Sequence, residues 1–205
     1  MASVLHIAAP EATRRIQRVQ IVTIAWMSVE AVVSIFAAWR ARSPALLAFG
    51  GDSTIELFSA VVVLWRFRGS AAHEEAERPG ARVAGALLFA LAAFVAVISV
   101  TSLLGYTDPK PTFLGIAILV AAAVIMPWLA KEKRRLSGAT GSAALRADAA
   151  QSALCAYLSL IALAGLAASA IWHLKWADPI AALAVLPLIV WEGRGAMRGK
   201  SCGCS

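Results

Sequence analysis

Residues 44–67 read PALLAFGGDSTIELFSAVVVLWRF, an apolar run long enough to cross a bilayer as one helix, with Asp52 and Glu56 in its middle. A carboxylate at the centre of a membrane helix costs roughly 2.5–3.5 kcal/mol on insertion scales. Two of them four residues apart stack on one helical face, about one turn from each other. Quiet neutralisation by a buried Lys or Arg is the structural alternative. It is disfavoured here, because no basic residue is expected deep in any hydrophobic span. The pair is therefore read as binding something or facing water.

The rest of the chain fits a membrane setting. Of 205 residues, 60% are hydrophobic and 15% charged, and the mean hydropathy is +0.74. Soluble domains are about half apolar. The fold expected is all-α, a polytopic bundle of six transmembrane helices at about 16–39, 44–66, 82–104, 112–130, 143–171 and 178–193. The bundle fills residues 16–193, with tails at 1–15 and 194–205. The last span opens on Asp178-Pro179, an N-cap followed by Pro in the first turn. The N-terminal run lacks the order of a cleavable signal, since its basic cluster follows Pro10 and precedes a full-length apolar span.

Charge sets the orientation. Fifteen of the 19 Lys and Arg fall in the N-tail, the second-to-third and fourth-to-fifth connections and the C-tail. Arg40, Arg42, Lys110 and Lys175 lie on the other side. Both termini are thus expected in the cytoplasm. The net charge of +7 reflects loops facing an anionic leaflet rather than a nucleic-acid surface. Trp39, Trp65, Trp128, Trp172, Trp176 and Trp191 fall near span ends as an interfacial belt, and Trp26 is expected to pack inside. The segment AAHEEAERPG at 71–80 reads as a solvated turn.

A second polar cluster lies in the fifth span, ALRADAAQSALCAYLSL, where Asp148, Gln151 and Cys155 share one face over two turns. Asp148 has a plain alternative, pairing with Arg146 or Arg135. At 1.5 Å rise per residue, Cys155 lies about 18 Å, Gln151 about 12 Å and Asp148 about 8 Å from the cytoplasmic start of its helix. The second helix runs the other way and places Glu56 about 15 Å and Asp52 about 21 Å from the same plane. Glu30, in TIAWMSVEAVVSIF of the first span, falls about 21 Å up, beside Asp52. Three helices thus offer oxygen and sulfur in one slab. Asp52, Glu56 and Cys155 are the leading candidate metal ligands, with Gln151 and Asp148 next and Glu30 after them. Carboxylate, amide and thiolate donors suit Zn²⁺, with Cd²⁺ and Co²⁺ beside it, and disfavour Mg²⁺ and Ca²⁺.

These stretches resemble a known family. SPALLAFGGDSTIELFS is similar to the second helix of cation diffusion facilitator transporters. ALRADAAQSALCAYLSL and WADPIAALAVLPLIVWEG resemble their fifth and sixth helices. In that family a His/Asp-x-x-x-Asp pair on the second helix and a His-x-x-x-Asp pair on the fifth bind a divalent metal, usually zinc. By resemblance, Asp52 and Glu56 occupy the first pair, Gln151 and Cys155 the second, and Asp148 matches the Asp that precedes the fifth-helix His. The resemblance places the chain with the family's short divergent members, which are expected to lack its cytoplasmic metal-binding domain. The resemblance implies metal efflux, and family habit with small-residue faces on the third and sixth spans leans towards a homodimer.

Acids and a thiol gathered in low dielectric hold protons, which a dication must displace in order to bind. Competition between metal and protons is the minimum for antiport, so the function expected is proton-coupled efflux of Zn²⁺, not enzymatic turnover. No resident cofactor is expected; the metal and protons are substrates, and the location is the cell membrane. Two rivals stay open: a metal sensor without transport, and an intramembrane hydrolase using paired acids. The tail GKSCGCS places Cys202 and Cys204 where they are read as an auxiliary metal-capture pair or as incidental thiols.

Overall fold

The connections do more than join helices: three of them are tied together at one end of the bundle. The computed structural model describes residues 9–66, 74–141 and 143–197. Six helices run α1 Ala9–Ala41, α2 Pro44–Arg66, α3 Glu74–Leu103, α4 Phe113–Thr140, α5 Ala143–Trp172 and α6 Ala177–Met197. They form a ring in the order α1, α2, α3, α6, α5, α4, closed by α4 against α1, and α2 also packs across it on α5 and α6. The helix with the two acids is thus walled by four others.

At the tied end, Lys110 N donates to Ala41 O (2.9 Å), joining the α3–α4 connection to the end of α1. Lys175 pairs with Asp108 at 3.1 Å in the open, a contact of little energetic weight. The start of α2 is held twice. Ser43 Oγ accepts from Leu46 N (3.1 Å), and Asp178 Oδ1 accepts from Ala45 N (2.9 Å). Asp178 sits inside the first turn of α6, so its carboxylate serves the orphan N–H of a neighbouring helix, where the dipole also favours negative charge.

Among the described residues, five helices are long and apolar enough to cross a membrane: 14–41, 82–103, 113–140, 145–172 and 177–197. The bundle is apolar outside and buries a set of acids within its core. Val32, Phe94, Val97, Val124 and Ile171 are exposed, while Glu30, Asp52, Glu56, Asp148 and Glu192 are buried. An apolar exterior of this extent is a lipid-facing surface. Trp39, Trp128, Trp172, Trp176 and Trp191 are exposed, whereas Trp26 packs against the apolar core around Met27, Phe49 and Leu119.

Close packing rests on glycine where α2 meets its neighbours. A Cβ on Gly50 would come within 3.0 Å of Ser34 and Ile35 of α1. On Gly51 it would meet Leu91 of α3. At Gly85 a Cβ would come 2.9 Å from the carbonyl of Gly193, so small residues of α3 and α6 serve a contact within the chain.

Two expectations about helix ends need correcting. Residues 71–80 were expected as a turn, but α3 already begins at Glu74, the Glu- and Ala-rich run favouring helix. Residues 71–73, with His73, lie outside the described residues. The fourth helix does not stop near 130. It continues through the charged run to Thr140 and ends at Gly141, whose φ of 68° is the left-handed cap. Charge ends a hydrophobic span without ending a helix.

Candidate metal site in the bundle core

The site grows from α2. Asp52 and Glu56 lie one turn apart on its inward face, and both are buried. Cys155 of α5 is fully buried opposite them. One ligand atom from each of Asp52, Glu56 and Cys155 lies within 4.8 Å of the other two. Ligand atoms around tetrahedral zinc stand about 3.3–3.8 Å apart given its bond lengths, so modest side-chain rotation would close the set. Two carboxylates and a thiol make three donors, leaving one position of a tetrahedron open.

Glu30 of α1 joins from the side. Its Oε1 accepts from Ser53 Oγ (2.6 Å) and from Cys155 Sγ (3.4 Å). Among the described residues, the Oε2 of Glu56 is buried and has no hydrogen-bond partner. A buried carboxylate oxygen without a donor is costly, and a cation at the cluster would satisfy it. Of the residues proposed from the sequence, the structure brings together Asp52, Glu56 and Cys155, with Glu30 against Cys155.

Gln151 and Asp148 each have a partner outside the triad. Gln151 hydrogen-bonds Glu192 of α6, which is buried with the other acids of the core. Asp148 is held by Lys133 of α4, Nζ to Oδ2 at 3.0 Å, and its Oδ2 also accepts from Gln20 Nε2 at 2.6 Å. The expected alternative for Asp148 is therefore right in kind and wrong in partner: the base is neither Arg146 nor Arg135.

Lys133 also overturns the expectation that no basic side chain lies deep in the bundle. It is fully buried, and its Nζ donates to Ser152 Oγ at 2.8 Å. Ser152 Oγ in turn donates to Glu56 Oε1 at 2.7 Å. The run KEKRR reads as a connection, yet within α4 its third residue continues the buried stripe Met126, Leu129, Ala130, Lys133, Leu136, Ser137. That three-four spacing is the signal that identifies Lys133 as inward. Glu192 was missed because it closes the sixth apolar run, where a charged residue reads as interfacial; α6 continues five residues beyond it. Cys202 and Cys204 lie outside the described residues.

Residues 20–198 match the family model described as "Cation efflux transmembrane domain". A Synechocystis sp. (strain ATCC 27184 / PCC 6803 / Kazusa) protein named "Uncharacterized transporter sll1263" is 27% identical over 165 residues, covering 76% of this chain and 53% of that protein. The chain spans about half the length of the curated relative it matches.

Proposed function

The chain belongs to the cation efflux family, and on that footing we propose that it carries a divalent cation, Zn²⁺ foremost, across the membrane in exchange for protons. The family is one of transporters and not of enzymes, which sets the hydrolase reading aside. The observation that carries the proposal is the buried convergence of Asp52, Glu56 and Cys155. A thiolate beside two carboxylates favours Zn²⁺, Cd²⁺ and Co²⁺ over Mg²⁺ and Ca²⁺. Glu30 supports the set through Cys155. Gln151 and Asp148 are engaged with Glu192 and Lys133 and stand outside the coordination proposed.

The chemistry of such donors supplies the minimum that exchange with protons requires. Ligands must shed protons to bind metal, so metal and protons exchange at the same atoms. In this reading all six helices span the bilayer, α2 included, since 23 residues extend about 35 Å. Both termini face the cytoplasm of a cell membrane, the helices alternate access to the cluster, and the working form is a homodimer. The test is zinc binding and zinc flux by the purified protein, with Asp52, Glu56 and Cys155 substituted singly. Binding without flux would instead support a sensor.

A further inference from the structure

Lys133 is a fully buried cation, in a bundle that also buries Glu30, Asp52, Glu56, Asp148, Asp178 and Glu192. Its ammonium does more than neutralise Asp148. It also donates to Ser152 Oγ (2.8 Å), and that occupies a lone pair of the hydroxyl. The Ser152 proton is then directed at Glu56 Oε1 (2.7 Å). Asp148 is further fixed by Gln20 (2.6 Å). The chain of contacts Gln20, Asp148, Lys133, Ser152, Glu56 crosses α1, α5, α4 and α2, and ends on a carboxylate of the proposed metal cluster.

Glu56 is therefore claimed by two cations. Its Oε1 is held through one hydroxyl by the ammonium of Lys133. A dication at the cluster needs the same carboxylate and is repelled by the same ammonium. We infer that Lys133 is a tethered counter-cation: it holds Glu56 through Ser152 when the cluster is empty and competes with the dication for that carboxylate. It is a positioning residue that sets affinity and release, not a ligand. Its effect is to weaken metal binding and to speed unloading. Fixed positive charge one hydroxyl from the site keeps a transported ion from becoming a trapped one. Asp148 keeps the ammonium in place in both states.

The inference rests on the proposed metal site, and the experiment separates the two. Zn²⁺ binding to the purified full-length protein is measured by titration, and initial Zn²⁺ uptake rates are measured in proteoliposomes. Lys133→Met would leave Asp148 buried without its cation, so it is made together with Asp148→Asn and compared with Asp148→Asn alone. The double variant is expected to bind Zn²⁺ about tenfold more tightly, a typical size for site-to-site coupling, with KM and maximal rate falling together. Lys133→Arg, which keeps the charge, is expected to keep the weaker affinity.

Ser152→Ala cuts the relay while leaving the Lys133–Asp148 pair intact, so it reads the same coupling should the double variant fail to fold. It too is expected to tighten binding. Unchanged or weaker affinity in Ser152→Ala, or in the double variant relative to Asp148→Asn, overturns the inference and leaves the metal site standing. Absence of Zn²⁺ binding that depends on Cys155 in the unsubstituted protein overturns both.

Discussion

Cys155 donates a hydrogen bond to Glu30 Oε1 (3.4 Å), and Ser53 donates to the same oxygen (2.6 Å). One carboxylate on α1 thus orients a thiol on α5 and a hydroxyl on α2. Groups that orient ligands from outside the coordination sphere typically govern affinity by about 10–100-fold. Glu30→Ala is expected to weaken Zn²⁺ binding by about that factor, read by titration of the purified protein. Unaltered affinity would mean that Cys155 is held by its own packing.

Cys155 supplies the one soft donor of the cluster. Co²⁺ bound to the unsubstituted protein is expected to show thiolate-to-cobalt absorption in the near ultraviolet, and Cys155→Ser is expected to abolish that band. The same substitution should lower the preference for Zn²⁺ and Cd²⁺ relative to harder ions such as Mn²⁺. An undiminished band would remove Cys155 from the ligand set.

Two carboxylates and a thiol bind metal in their deprotonated forms, so binding releases protons and affinity falls as pH falls. Titrations of Zn²⁺ in buffers of different ionisation heat are expected to yield different apparent enthalpies, their slope giving the protons released. Equal enthalpies in all buffers, with affinity flat against pH, would contradict exchange of metal for protons at these atoms.

Asp178 has a different kind of work. By accepting from Ala45 N it caps α2 from α6, and loss of a helix cap costs about 1 kcal/mol. Asp178→Ala is expected to lower the thermal midpoint of the detergent-solubilised protein while leaving Zn²⁺ affinity within about twofold. A large loss of affinity would place Asp178 in the site's machinery rather than in the fold.

Depth was legible in the sequence and direction was not. Rise per residue is fixed, so counting from span ends put Asp52, Cys155 and Glu30 in one slab with Glu56 close by, and three of these meet within 4.8 Å as Asp52, Glu56 and Cys155. Rotation about each helix axis has no such ruler. Gln151 shares a face with Cys155 in sequence, yet it turns to Glu192 on α6. Asp148 turns to Lys133 on α4. Hydropathy also hides a buried cation in a charged run. Lys131, Arg134 and Arg135 are exposed beside Lys133, and only the spacing of the buried stripe tells them apart. Glu192 pairs with a residue 41 positions away, a relation that no local pattern encodes.

Asp52 is the residue on which the proposed cation path depends. The most direct measurement is Zn²⁺ flux in proteoliposomes under an imposed pH gradient, comparing the unsubstituted protein with Asp52→Ala. Zinc is expected to move against the proton gradient's direction in the first and to stay put in the second, with both proteins inserted to equal density. Equal flux in the two would contradict a transport site on α2, and no gradient-driven flux in either would contradict proton-coupled zinc transport itself.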